Sequence, residues 1–400
     1  MSNIKKDFPI FQNNKDLIFF DSTSSTQKPS YVIDGIKDYL ENSYSNIHRW
    51  MYDIAWISEE LYDNSKKKVA ELIWTDSYKE IIYTYNSTYA SNLLVWSLRL
   101  TWKLKAGDKV LLSIVEHHAN IVPWLILKDE IGIEIDYVDV DENFDLDLDD
   151  FNKKYDKKVK VISFTHVSNI TGQVFDLEKI WKLKRDDTLF IIDASQSVPH
   201  FRVDVKKLNA DFIFFTWHKI MADSGIWVLW WKTELLNELK PVFSGWWSIS
   251  KVEETCYIDG KLPYKFEPGT PNLTGAVSLL KALEYIDSIW WFEKVEEIEK
   301  DLVEYTLEKI NDRDYIKLIW SNNSENRVWV FTFTLPNIHS DDIADVMAEE
   351  NICIRSGLHC AHPFLNKLWL THSSRMSLYI YNTHEDIDKF FEVLDEASKY

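Results

Sequence analysis

Asp193 and Lys219 invite a single chemistry. They stand 26 residues apart, and each closes a run of apolar, strand-forming residues, in TLFIIDAS (188–195) and DFIFFTWHK (211–219). A carboxylate and an amine at the ends of buried strands fit pyridoxal phosphate. The amine condenses with the cofactor's aldehyde, and the carboxylate pairs with the pyridinium nitrogen, so that the ring accepts electrons from a substrate carbanion. Lys219 then needs a lowered pKa, which burial and a neighbouring cation supply.

Other strand ends carry polar groups as well. IVEHHANIVPW (114–124) presents His117 and His118; SFTHVSNITG (163–172) presents Thr165, His166, Ser168 and Asn169; Gln196 follows Asp193, and Thr216 and His218 precede Lys219. Open α/β sheets bind ligands at the carboxyl ends of their strands, so these termini are expected on one rim.

The elements that must position them follow from patterning. KVLLSIV (109–115), EIDYVDV (134–140), VKVISFTHV (159–167), TLFIIDAS, DFIFFTW (211–217) and IWVLWW (226–231) read as strands, separated by amphipathic or charged stretches such as DLEKIWKLKRD (176–186). Strands alternating with helices imply an α/β fold with a mostly parallel sheet flanked by helices. After PGTPN (268–272) the pattern changes. Long helices are expected over 276–289 and 292–310, followed by strands at 327–335, 351–356 and 375–381, a helix around DDIADVMAEEN, and a closing helix from HEDIDKFFEVL. That is a smaller α+β C-terminal domain.

Bulk properties exclude several classes. A net charge of −19 over 400 residues opposes nucleic-acid binding, which needs a basic surface. No apolar run approaches the roughly 18 residues of a membrane span. MSNIKKDFPIFQNN lacks a secretory pattern, and three cysteines make no disulfide framework, so a cytoplasmic chain with reduced thiols is expected. LHCAHP (358–363) lacks the partner ligands of a zinc site, and no metal is expected. Cys353 reads as a buried strand residue, Cys256 has no activating context, and His118 and His166 read as core or supporting groups.

In order along the chain stand IFFDSTSSTQKPS (18–30), EHHANIVPW, THVSN, DASQ, the His218-Lys219 pair, FEPGTPN (266–272), RSGLHCAHP (355–363) and YNTHE (381–385). This co-linear set resembles the SUF-type cysteine desulfurases, class V aminotransferase-like enzymes of PLP fold type I, over nearly the whole chain. The resemblance implies a large PLP-binding domain, 15–285, and a small domain, 286–400 with 1–14, carrying an active-site cysteine loop. It implies that Lys219 holds the cofactor, His117 stacks on its ring, Asp193 meets the ring nitrogen and Gln196 the phenolic oxygen. Ser87, Thr88, Thr216 and His218 would bind the phosphate, and Thr270 would reach the phosphate of a partner subunit in a homodimer. Asn169 and Arg375 would hold the carboxylate of L-cysteine, with Arg355 nearby. Cys360 would take the substrate's sulfur as a persulfide, leaving L-alanine, and pass it to a SUF-type protein acceptor for iron–sulfur cluster assembly. His359 and Arg355 are candidates to favour the Cys360 thiolate. The rival within the fold is a selenocysteine lyase or another class V enzyme; the rival outside it is an inactive sulfur-transfer scaffold.

The chain departs from that family in two ways. In TYNSTYASN (84–92), Asn86 replaces a glycine and Tyr89 a glutamate, and Leu358 stands where the loop often has histidine. More widely, Trp50, Trp74, Trp217, Trp227, Trp231, Trp246, Trp247, Trp290, Trp329 and Trp369 fall on family glycines, whereas Trp124 matches a family tryptophan and Trp230 the tryptophan of a GIGVLWGK pattern that GIWVLWWK resembles. Glycine numbers only 10 and tryptophan 18, and restoring the replaced glycines would double the first count. A UGA codon read as tryptophan instead of glycine would produce this one-way exchange. Were the indoles real, Trp217 would be expected to crowd the phosphate, and catalysis would be impaired.

Overall fold

The computed structural model describes residues 4–48, 51–101, 103–289, 291–320 and 323–399. Trp50 and Trp290 lie outside the described residues. The apolar strand runs of the first two-thirds assemble into a seven-stranded sheet in the order Ile81–Thr84, Trp227–Trp231, Phe212–Thr216, Leu189–Asp193, Val159–Thr165, Lys109–Ser113, Glu134–Val138. The last five in that order are mutually parallel. Trp227–Trp231 runs antiparallel to both its neighbours. The fold is thus α/β with a mostly parallel sheet, as expected, and the six expected strands form with shorter ends. Ile81–Thr84 was not expected; four residues at a sheet edge give too little periodicity to read.

Residue parity sorts the side chains between two faces, because successive strand residues point to opposite sides. Leu111, Ile162, Ile192, Ile213, Phe215 and Val228 join the larger core cluster. Val110, Leu112, Val161, Ile191, Phe212, Phe214 and Leu229 join the other. Helices Asp53–Leu72 and Leu273–Ser288 cover the first face through Tyr62, Val69, Val277 and Leu283. Helices Ser87–Leu100 and Val122–Ile131 cover the second through Leu94, Leu98 and Leu127. Each fully buried Phe or Ile contributes about 1.5–3 kcal/mol, so both faces resist opening and the strand ends are held as a rigid rim.

A second, antiparallel sheet runs Lys317–Leu318, Val330–Thr334, Ser373–Ser377, Arg355–Gly357. Helices Trp291–Asn311, Ser340–Glu349 and His384–Ala397 accompany it. The run NICIRS divides: Ile352–Cys353 pairs in parallel with Ile18–Phe19, and Arg355–Gly357 enters the small sheet. The strand expected at 375–381 instead spans Ser373–Ser377; residues 378–381 are buried but leave the ladder. Gly172 lets the two parts approach. Its φ is +73°, and a Cβ there would stand 2.8 Å from the Val328 carbonyl oxygen. Among the described residues no helix is long and apolar enough to cross a membrane.

Candidate active site

The carboxyl ends of the parallel strands open onto a cavity of about 300 Å³. Its wall holds Ser87, Thr88, His117, Asn169, Gln196, Thr216, His218, Lys219, Arg355, Cys360 and Arg375, together with Thr23, Ser24, Asn86, Trp227 and His359. Sequence positions from 23 to 375 therefore meet in one place. Asp193 is buried on the strand next to the one leading to Lys219, and its charge acts on the amine. Thr270 is not part of this wall; it is exposed beside Tyr85 and Asn272.

Burial lowers Lys219 to about 8, partly opposed by Asp193 and reinforced by Arg375 and Arg355. The amine thus approaches its neutral, nucleophilic form near physiological pH. Burial raises the Asp193 carboxyl, whose Oδ1 accepts a hydrogen bond from the Ser195 N–H at 2.9 Å. His117 is lowered to about 3 by burial and then by Lys219, so its ring is neutral. Its Nδ1 accepts from the Ala119 N–H at 3.1 Å, which leaves Nε2 as the protonated nitrogen. His218 is likewise neutral, lowered to about 3 by burial, Lys219 and Lys28.

One end of the cavity suits a phosphate. Helix Ser87–Leu100 begins there, its cap Asn86 accepting from the Tyr89 N–H at 2.7 Å, and free N–H groups at a helix start favour anions. Asn86 has φ −170°, extended backbone, so this position needs no left-handed residue. The Thr216 hydroxyl is buried without a hydrogen-bond partner among the described residues. An orphaned hydroxyl, a helix start, an amine poised near neutrality and a carboxylate behind it together fit pyridoxal phosphate.

The other end is basic. Arg375 Nη1 donates to the Asn169 carbonyl at 3.0 Å, and Nη2 donates to Ser24 Oγ at 2.8 Å and Asp21 Oδ1 at 3.2 Å. Arg355 forks onto Asp21 through Nε and Nη2, the latter at 2.8 Å. Burial alone would raise the Asp21 carboxyl, but the Arg355 hydrogen bond and the Arg375 charge outweigh it and hold it below its ordinary value. Asp21 therefore braces both arginines. The sequence reading quoted it within IFFDSTSST without a role, because the strand before it, Ile18–Phe19, pairs with Ile352–Cys353 and lies outside the large sheet. Glu116 was also passed over. It is buried, raised to about 8 by desolvation, and accepts from Asn120 Nδ2 and the Thr165 N–H, both at 2.7 Å, bracing the strand ends beneath His117.

Cys360 sits on a loop with tension in its backbone. His359 and Cys360 have φ of +48° and +58°, consecutive left-handed residues that cost on the order of 1–3 kcal/mol each. The loop is tied to the rim at two points: the His118 N–H donates to the Cys360 carbonyl, and Asn169 Nδ2 to the His359 carbonyl, both at 2.8 Å. Cys360 itself is exposed to the cavity. His359 is lowered to about 3 by burial and by both arginines, so it carries no charge to offer a thiolate; the charged groups that act on Cys360 are Arg355 and Arg375. Cys353 is half-buried on its short strand, and Cys256 is exposed in the turn of a hairpin, Ile249–Val252 with Tyr257–Asp259, that was not anticipated. Trp217 does not crowd the phosphate end: it packs into the core against Phe215. Trp227 lines the cavity instead, tilted over His218 with ring centres 4.6 Å apart.

Known proteins resemble this chain in sequence and in fold. Residues 18–390 match the aminotransferase class-V family. A probable cysteine desulfurase of Pyrococcus abyssi is 35% identical over 99% of this chain and 97% of its own. One from Synechocystis is 32% identical over all of this chain and 96% of its own. The apo structure of a cysteine desulfurase from Thermococcus onnurineus superposes with a TM-score of 0.93 at 32% identity, covering 99% of this chain and 97% of the other. The Escherichia coli cysteine desulfurase CsdA superposes with a TM-score of 0.90 at 27% identity, covering 99% and 98%. With the motif order, the sheet and the lysine-centred cavity all in agreement, this chain belongs to the class V aminotransferase family of pyridoxal-phosphate-dependent enzymes.

Proposed function

We propose that this chain is a cysteine desulfurase that converts L-cysteine to L-alanine and carries the released sulfur as a persulfide on Cys360. The observation that carries this reading is one cavity lined by Lys219, Arg375 and Cys360 together. Lys219 would hold the pyridoxal phosphate, Asp193 would meet its ring nitrogen, Gln196 its phenolic oxygen, and His117 would lie against its ring. Ser87, Thr88, Thr216 and His218 would receive its phosphate. When bound, the cofactor supplies an electron sink for the bonds broken at the substrate's carbon atoms.

Arg375 keeps Nε without a partner among the described residues, so it retains a donor for the substrate carboxylate beside Asn169. That carboxylate would share the guanidinium with Asp21. Neutral His117 holds its proton on Nε2, with Nδ1 tied to the Ala119 N–H, so it would act first as a proton donor through Nε2 and then take the proton back there. Cys360 Sγ attacks the substrate sulfur; the substrate's carbon–sulfur bond breaks and a sulfur–sulfur bond forms. A proton returned to the substrate's terminal carbon completes alanine.

The same reading divides the chain into a cofactor domain, 15–285, and a smaller one, 286–400 with 1–14, that carries the cysteine loop. It makes the protein a cytoplasmic homodimer in which Thr270, exposed away from its own cavity, reaches the partner's phosphate. A protein acceptor of the SUF type would take the sulfur toward iron–sulfur clusters.

The test is to incubate the holoenzyme with cysteine, and separately with selenocysteine, and measure alanine together with sulfide or selenide. Equimolar alanine and sulfide from cysteine, lost in Cys360→Ala while the cofactor stays bound, is the expected result. Undiminished desulfuration by Cys360→Ala, or turnover of selenocysteine alone, would overturn it.

A further inference from the structure

Left-handed backbone is glycine's territory, because a Cβ there meets the chain's own carbonyl. Thirteen described residues other than glycine have a positive φ, and four of them are tryptophan: Trp74 (59°), Trp247 (75°), Trp320 (119°) and Trp369 (58°). Asparagine, the residue best suited to this region after glycine, also appears there four times: Asn209, Asn326, Asn337 and Asn351. A bulky indole matching asparagine in that role is anomalous.

Two of these sites are built in detail as glycine sites. Helix Asp53–Leu72 ends with the Thr75 N–H donating to the Ala70 carbonyl at 3.0 Å and the Trp74 N–H to the Glu71 carbonyl at 3.3 Å. Helix His362–Lys367 ends in the same way, Leu370 to Leu365 and Trp369 to Asn366, both at 3.0 Å. This is the Schellman ending, whose left-handed residue is usually glycine. Helix Val122–Ile131 terminates in a left-handed glycine, Gly132, at φ +75°. Trp74 and Trp369 are 54% and 93% exposed, so neither indole has packing to offset its backbone. Trp247 does have a contact, stacked on His48 with ring centres 3.6 Å apart, so only its backbone marks it. Trp320 has the least accessible φ of the four, although its side chain is buried and its indole N–H donates to the Asn143 carbonyl at 3.1 Å.

Trp124 and Trp230 differ from these four in backbone, for neither has a positive φ. Trp230 has strand backbone, is buried, and donates its indole N–H to Thr75 Oγ1 at 2.9 Å and Glu80 Oε2 at 3.0 Å. Trp124 is fully buried in a helix.

We infer that positions 74, 247, 320 and 369 carry glycine in the protein its own cells make, through UGA codons translated as glycine. A codon meaning applies throughout a gene, so whichever of Trp217, Trp227, Trp231, Trp246 and Trp329 is encoded by UGA carries the same exchange, their ordinary backbone leaving the residue type open. At position 227 it would open the cavity wall beside His218. The inference rests on backbone geometry and does not depend on the proposed desulfurase activity.

The decisive experiment is peptide sequencing by mass spectrometry of the chain purified from its native cells. Glycine at 74, 247, 320 and 369, with tryptophan retained at 124 and 230, is the expected result. Tryptophan at those four positions would overturn the inference. A second measurement uses recombinant chains. The combined variant W74G/W247G/W320G/W369G melts at a higher temperature than the chain with tryptophan, whereas W124G melts lower. A fall in melting temperature for the combined variant would show that these indoles stabilise the fold and would overturn the inference as well.

Discussion

Two lysine–carboxylate pairs, each with its amine perturbed by burial, are built to opposite ends. Lys66 is wholly buried; its Nζ donates to Glu267 Oε1 and to the Ile81 carbonyl at 3.0 Å, and it lies over the rings of Tyr62 and Tyr83. Glu267 also accepts from the Tyr62 hydroxyl at 2.8 Å and the Tyr83 N–H at 2.6 Å. Every strong valence is used, as a buried ion pair requires. Lys219 and Asp193 attract each other, yet among the described residues no hydrogen bond joins them, and Lys219 borders an open cavity. The first pair is closed, with nothing left for a ligand. The second leaves a half-buried amine facing open space, and a perturbed amine with a carboxylate behind it in a cavity marks a candidate site.

The contrast can be broken by mutation. Lys219→Ala should cut alanine formation by at least on the order of 10⁴-fold and abolish the absorbance of protein-bound cofactor; measurable turnover would place the reactive amine elsewhere. Lys66→Ala should cost about 3–5 kcal/mol of stability, by stranding Glu267 without its cation. Urea denaturation measures this, and a loss below about 1 kcal/mol would mean that Glu267 finds another partner. Asp193→Asn removes one weakly held carboxylate, so stability should change by no more than about 1 kcal/mol. The amine midpoint should nevertheless move below about 8, because the Asp193 charge raises it. The pH dependence of cofactor uptake by the apoprotein reads that midpoint, and an upward shift would refute the coupling.

Uptake by the unaltered chain should quicken as pH rises through about 8, where Lys219 loses its proton. The stability sign follows from the same shift. Between about 8 and the ordinary lysine value of 10.5 the unfolded chain binds the proton and the folded chain does not, so this residue's contribution favours folding increasingly across that window. Lys219→Met should remove that slope, and Lys66 provides the control, since its variant leaves the Lys219 slope in place. Smallest of all, Cys353→Ser on its half-buried strand should shift stability by less than about 1 kcal/mol and leave sulfur release unchanged. Loss of sulfur release would bring Cys353 into the mechanism.

Most of the candidate site was legible because its residues follow strongly apolar runs. Thr216, His218 and Lys219 come after FIFF, and Asp193 after LFII, so a period-two apolar pattern points to the strand end and the polar residue marks the rim. Asp21 escaped because its strand is two residues long and pairs with Ile352–Cys353, more than three hundred residues away in sequence. Glu116 escaped because its role lies beneath the rim, among Ser113, Asn120 and Thr165, and no spacing rule links those positions. Trp217 is expected at the phosphate end from its place beside Lys219, yet the cavity takes Thr216 and its cross-strand partner Trp227, a pairing that local sequence does not show.

The sequence by itself determined the alternation of strands and helices, the order of the motifs, and the chemical types brought to the strand ends, because those depend on local periodicity and residue identity. Only the tertiary structure decided which of those groups face one another. It set the charge of His117, His218 and His359, the bracing of Arg355 and Arg375 by Asp21, and the left-handed backbone at Trp74 and Trp369. Burial and long-range pairing produce these features, and neither is a property of a segment taken alone.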